Sequence, residues 1–463
     1  MNAIIFSALG GVAMMFSSFL LKDKSLLKYI ALVLLAIVFI ANVQETYGHF
    51  SLGIDTKGMF AFTKSGFYFN TLIILSVFLY FLVSGSQIEK VGNYPAEYFA
   101  LIFFVLDGVF ILSSYNSLLM LFLGIEVMTI PLYILTGADK HNLKGNEASL
   151  KYFLMGSFST GIMLMGITLM YGATGTFGIE ATKGVSLLGG PINYGIIEPL
   201  GMLLIFISFL FKVSAAPFHF WAPDVYDGAP TVFTGFMASV VKAAGFFAFI
   251  HLFSEKSAEL VDSWKILLPF VIILTLLIGN ITAVFQQSVK RMLAYSSIAQ
   301  AGFMLFALYN NTFSKEGLLI YTIAYTVATI GIFSILGKMK DYTYDGFNGL
   351  AKKQPFVAFA NTVFFMSLAG IPLTGGFFAK YYMLSAAISG NGIGILWLVI
   401  VALIFAAISV YYYFGVIKSM YFKEGEAEIN EVTPAFQYAL ALLVAIVFII
   451  GIYPSIITNW LYF

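Results

Sequence analysis

The chain has 463 residues, 60% of them hydrophobic and only 10% charged, with a formal net charge of +1. A soluble domain is about a quarter charged, so these charges are too few to cover a soluble protein of this length, and lipid is the natural solvent for the rest. The near-zero charge gives nucleic acid no footing, and the absence of cysteine excludes disulfides and cysteine-ligated iron–sulfur or zinc centres on this chain.

The chain runs straight into MNAIIFSALGGVAMMFSSFLL, which has no basic n-region or convincing cleavage site and reads as a first membrane helix rather than a signal peptide. At about 20 apolar residues per crossing, helices are predicted at 1–21, 29–46, 68–87, 95–114, 117–138, 147–172, 195–229, 231–253, 264–284, 290–309, 316–337, 355–389, 392–421 and 434–461. The expected fold is therefore an all-α polytopic membrane protein of about fourteen helices. Short loops leave a single membrane domain over 1–463.

Basic residues orient it. Loops at 22–28, around 90, and at 139–151, 285–291, 338–353 and 418–423 hold 15 of the 24 Lys and Arg, and the opposite loops hold 6. The basic side is expected in the cytoplasm, which puts both termini on the periplasmic face.

Spans seven (195–229) and twelve (355–389) are each about 35 residues, or about 52 Å as a straight helix. Each carries helix breakers near its middle, VSAAPFHFWAP around Pro217 and LAGIPLTGGFF around Pro372, Gly375 and Gly376. Broken helices at membrane depth face protein or water, and one in each half of an inverted repeat is a transporter signature. Five crossings separate the two, and an odd number inverts the second copy. The expected layout is helices 1–3 over 1–94, five-helix repeats over 95–253 and 254–425, and a final helix over 426–463.

Ionisable residues inside a membrane are costly and point to function. Glu126 lies about ten residues into span five, Lys212 just before the break of span seven, Lys242 deep in span eight with Ser239 at i−3, and Lys380 just after the break of span twelve. The bland reading is a structural ion pair or a snorkelling lysine. Three lysines and a glutamate at depth, two of them beside broken helices, favour ion movement. Burial weakens a lysine's hold on its proton and a nearby carboxylate strengthens it, so such a set can pass protons. His219, beside the first break, is a candidate relay, and Lys151, at the start of span six, is either a positive-inside anchor or a point of proton access. Asp107 is deep but has no evident partner, and structural and functional readings both stand. His251 reads as structural. His49, His141, His219 and His251 offer no metal-ligand spacing.

Four strings, LFLGIEVMTIPLYILTG, FLFKVSAAPFHFWAPDVYDGAPTVFTGFMASVVKAAGFFAF, QQSVKRMLAYSSIAQAGF and SLAGIPLTGGFFAKYYML, resemble the antiporter-like subunits of respiratory complex I, most clearly over residues 95–425. That resemblance implies a proton path along the membrane midplane through Glu126, Lys212, Lys242 and Lys380. It also implies partner chains: other membrane subunits, and a peripheral arm carrying the NADH, FMN, iron–sulfur and quinone chemistry of a bacterial NADH–quinone oxidoreductase in the inner membrane. Among the family's three branches, PDVYDGAPT is similar to one. Lys380 sets the chain apart from the branch with glutamate in span twelve. An end just after span fourteen leaves no room for the long lateral helix of the other. One departure stands out, because Gln300 occupies a place where the family often has histidine. Gln300 cannot take up a proton and is expected at most to orient water. The alternative function is a subunit of a multisubunit cation/proton antiporter, and a third reading is a membrane scaffold.

Overall fold

The computed structural model describes residues 1–20, 24–179, 197–254, 257–309, 311–391 and 395–461, and within them the chain is helical, with no strand longer than an isolated bridge. The helices are α1 (Asn2–Leu20), α2 (Leu27–Thr46), α3 (Lys64–Ile88), α4 (Pro95–Ser114), α5 (Leu118–Thr136), α6 (Leu143–Thr174) and α7 (Ile197–Lys212). Then follow α8 (Trp221–Gly228), α9 (Thr231–Phe236), α10 (Lys242–Ser254), α11 (Ser257–Val284), α12 (Val289–Met304) and α13 (Asn311–Leu336). The last are α14 (Leu350–Lys353), α15 (Pro355–Ala369), α16 (Gly375–Asn391), α17 (Leu396–Phe422), α18 (Pro434–Ile452) and α19 (Ser455–Leu461).

Helices dominate because lipid leaves no other partner for backbone N–H and C=O groups. Their ends fall where the sequence supplies caps. Thr63, Ser117, Asn142 and Thr433 accept hydrogen bonds from the first turns of α3, α5, α6 and α18, as short polar side chains do at helix starts. Proline opens α4, α15 and α18, where its missing N–H costs nothing.

Among the described residues twelve helices are long and apolar enough to cross a membrane. The pairs α7–α8 and α15–α16 complete the fourteen crossings, and both predicted breaks are present. In the first, Ser214 has φ 57°, the Ala216 N–H donates to Thr275 Oγ1 at 3.0 Å, and Trp221 Nε1 donates to the Phe211 carbonyl at 2.9 Å. In the second, Gly370 and Leu373 have φ of 85° and 72°, and the Gly376 N–H donates to Ser367 Oγ at 3.1 Å. Neighbouring elements thus satisfy the backbone that each break releases.

Burial divides the bundle into a centre and a rim. The spans through α9–α10, α12 and α13 are 94% buried, whereas α1, α2 and α17 are one-third buried. The rim presents Phe16, Phe19, Leu403 and Ile404 outward, as a lipid- or partner-facing surface requires.

Three expectations need adjustment. The final span stops at Ile452 and α19 is a separate short helix, because Pro454 cannot continue the first. Lys290, counted with a basic loop, is buried instead. The start of span seven (195–196), the start of span thirteen (392–394), Lys22, Lys183 and Lys256 lie outside the described residues.

Candidate functional site

Glu126 sits half-buried in the middle of α5. Lys212 is the last residue of α7. Its ammonium is buried and has no hydrogen-bond partner among the described residues; the Glu126 carboxylate acts on it, across more than hydrogen-bonding distance. Phe209 stacks on Phe249 at 4.8 Å, and Val213 Cγ1 lies 3.5 Å from a Cβ built on Gly245. These contacts pack α7 antiparallel to α10, so Lys212 at the end of the first and Lys242 at the start of the second lie toward the same end of the pair.

A π turn at Met237–Val241 joins α9 to α10 immediately before Lys242. Such turns are wider than the α-helix and recur at functional sites. The Lys242 side chain is 3% exposed and its ammonium donates to the carbonyl of Ser297 at 2.7 Å and to Ser297 Oγ. Ser239, expected on the same face, instead donates back to the Gly235 carbonyl. The working partner of Lys242 is therefore on α12, which the sequence does not reveal.

Helix α12 carries the link between the two halves. Gln300, one turn beyond Ser297, donates from Nε2 to the Leu368 carbonyl at 2.9 Å and to Tyr413 Oη at 3.3 Å, and its Oε1 accepts from the Tyr321 phenol. Ser296 bonds Tyr413 from the adjacent position. One turn further, Phe303 presents its ring to Lys380 Nζ, 4.8 Å from the centroid. Lys380 is buried and donates to the Ala369 carbonyl at 2.8 Å. Ala369 ends α15, so the ammonium sits on the partial negative charge of a helix C-terminus. A cavity lined by Gln300, Tyr321, Tyr325, Ser367 and Lys380 leaves about 10 Å³ for a water's centre, roughly the minimum that holds one molecule.

The remaining candidates lie to one side. Lys151 pairs with Glu147 at 2.8 Å and Asp224 at 3.0 Å, and Arg291 reaches Asp224 at 3.1 Å, so Lys151 belongs to a clamp joining α6, α8 and α12. Lys290 donates to the carbonyls of Asp227 and Ala229 at 2.9 and 2.6 Å, capping the end of α8. His219 is buried in the first break, and its Nδ1 has no hydrogen-bond partner among the described residues. His251 packs edge-on against Tyr115 at 4.9 Å, in keeping with a structural role. Among the described residues, one carboxylate oxygen of buried Asp107 has no hydrogen-bond partner and no cation pairs with it.

Interrupted helices around a row of buried charges define an antiporter-type membrane protein. The model of the family described as NADH:quinone oxidoreductase/Mrp antiporter, TM, matches residues 115–409. The NADH-quinone oxidoreductase subunit N of Trichlorobacter lovleyi is 40% identical over 85% of this chain and 82% of its own length, and that of Cytophaga hutchinsonii 39% over 99% and 98%. A chain of respiratory complex I from Thermus thermophilus superposes with a TM-score of 0.83 at 29% identity, covering 98% of both chains. The chain belongs to this family, within its NADH-quinone oxidoreductase subunit N group.

Proposed function

We propose that this chain is the antiporter-like, proton-translocating subunit of a bacterial NADH-quinone oxidoreductase. It sits in the inner membrane with both termini on the periplasmic face and is organised as inverted repeats over 95–253 and 254–425. Electron transfer from NADH through FMN and iron–sulfur clusters to quinone takes place on partner subunits, which this chain reaches through its membrane neighbours. Protons move along Glu126, Lys212, Lys242 and Lys380. Lys151 and His219 are candidates for access and relay. Gln300 holds the middle in place without titrating.

The observation that carries this reading is the paired placement of the inner lysines. Lys242 is tied to α12 through Ser297, and Lys380 reaches the same helix through Phe303. A structural ion pair would need carboxylates at these ammoniums, and their bonded partners are neutral oxygens. Neutral partners leave each lysine free to lose its charge without stranding a buried carboxylate.

The test is proton uptake by proteoliposomes holding the whole complex, driven by NADH oxidation. Lys212→Met and Lys242→Met should each strongly depress uptake while the complex stays assembled, and normal uptake in both variants would sink the path. Purification in mild detergent separates this reading from the cation/proton antiporter alternative. NADH-oxidising, flavin-bearing partners are expected, and small antiporter subunits in their place would favour the alternative.

A further inference from the structure

The proposed path has a gap at its middle. Lys242 and Lys380 are served by Ser297 and Phe303, six residues apart on α12 and therefore about 9 Å along its axis. Gln300 lies between them but cannot carry the proton. Both donations from its amide nitrogen are spent on Leu368 and Tyr413, and its oxygen is held by Tyr321. An amide also has no titration near neutral pH. Its role is to lock four helices together.

Beside Gln300 a second line of hydroxyls runs the same way. Ser297 Oγ meets the Lys242 ammonium, and Tyr325, one turn along α13 from the Tyr321 that bonds Gln300, comes level with Ser297 because the two helices run antiparallel. Tyr325 is itself buried and lines the water-sized cavity that Lys380 also lines. Tyr226 also borders Ser297 but does not line that cavity. Hydroxyl and water oxygens both donate and accept, so each can pass a proton on while keeping its own charge state.

We propose that Tyr325 is the proton relay between Lys242 and Lys380, acting with Ser297 and one water in the cavity. The step balances without a charged intermediate on the phenol. The Lys242 ammonium gives a proton to Ser297 Oγ, and the serine's own proton passes to Tyr325 Oη. The phenol's proton passes to the water, which protonates the neutral Lys380 amine. Lys242 ends as the amine and Lys380 as the ammonium. The hydroxyls then rotate back, and the reverse sequence carries a proton the other way.

This inference rests on the proposed proton path, and the experiment separates the two. Tyr325→Phe removes one oxygen and keeps the ring. In the complete complex in proteoliposomes it should lower the rate of NADH-driven proton uptake about 100-fold or more, within the range proton-transfer groups contribute. Assembly and NADH oxidation by an artificial acceptor should stay unchanged. Ser297→Ala should do the same, whereas Ser297→Thr, which keeps the hydroxyl, should pump. Tyr413→Phe, which loses a Gln300 contact but no relay atom, should retain most pumping. In the Tyr325→Phe background, Gln300→His should restore part of the loss by supplying a titrating group at the gap, which a purely structural defect would not allow. Undiminished pumping in Tyr325→Phe overturns the relay if Lys242→Met is dead in the same assay, and overturns the path as well if Lys242→Met also pumps. Should Tyr325→Phe fail to assemble, the serine pair decides: loss in alanine with retention in threonine supports the relay, and equal pumping in both refutes it.

Discussion

Gly376→Ala tests whether the crossing of the two half-helices in span twelve positions Lys380. A Cβ on Gly376 would lie 1.7 Å from the Ser367 carbonyl oxygen and 2.6 Å from its carbon, where real Cβ contacts stop near 3.0 Å. Helix α16 must then retreat by at least about 1.3 Å, close to the 1.5 Å rise of one residue. Lys380 is one turn further along α16, so its ammonium shifts by a similar amount. Its 2.8 Å bond to the Ala369 carbonyl opens to about 4 Å, beyond hydrogen bonding. Overpacking costs ~1–3 kcal/mol, and loss of a charged hydrogen bond adds ~1.5–3 kcal/mol. The variant should melt at a lower temperature and pump several-fold less per assembled complex, read as fluorescence quenching in NADH-energised vesicles. Gly375→Ala is the matched control. Its Cβ comes nearest to Ala324 Cβ and Ile450 Cγ2, both at 3.2 Å, a crowding that a shift of a few tenths of an ångström relieves, so it should pump close to the parent. Equal and undiminished pumping in both variants would refute the link between the crossing and Lys380.

Glu126→Gln keeps the shape of the side chain but removes the charge acting on Lys212. It should depress pumping, with Glu126→Asp recovering part, and full activity in the glutamine variant would show the carboxylate is not needed. Gln300→Ala leaves Leu368, Tyr413 and Tyr321 each short of a partner, at ~1–3 kcal/mol. It should lower the melting temperature more than it lowers pumping, and complete loss of pumping in an assembled complex would contradict a non-titrating Gln300. Asp224→Asn leaves Lys151 with Glu147 and Arg291 with Asp227, and the clamp is partly exposed, where ion pairs contribute little. A small, salt-sensitive loss of stability with near-normal pumping is expected, and a loss equal to that of Lys242→Met would place Asp224 in the path.

Glu126, Lys212, Lys242 and Lys380 were legible in the sequence because each breaks the rule of its surroundings, a charge inside an apolar run. The two interruptions were legible for the same reason, since 35 residues are too long for one crossing and Pro217, Pro372 and the paired glycines cannot wind through it. Ser297 and Tyr325 break no rule. A serine in a helix bonds its own backbone readily, and a tyrosine among apolar residues reads as core. Only the packing of α12 against α10 and α13 gives them partners. Lys290 misleads in the opposite direction. Beside Arg291 at a helix start it reads as a cytoplasmic anchor, yet the carbonyls that hold it belong to Asp227 and Ala229, 63 and 61 residues earlier.

The π turn at Met237–Val241 also fixes how span eight can vary. It holds one more residue than regular winding would use. Deleting any one of the five would let the helix close up as a continuous α-helix, with no backbone group left unpaired. Five residues of the wider turn advance about as far round the axis as four of regular helix, so everything after it would keep its face relative to Thr231–Phe236. Lys242 would still meet Ser297, whereas the same deletion within Thr231–Phe236 would turn it by about 100° off that face. Span eight should therefore tolerate the loss of one residue from the turn and reject one from the regular helix before it, so that the place of a deletion matters more than its size.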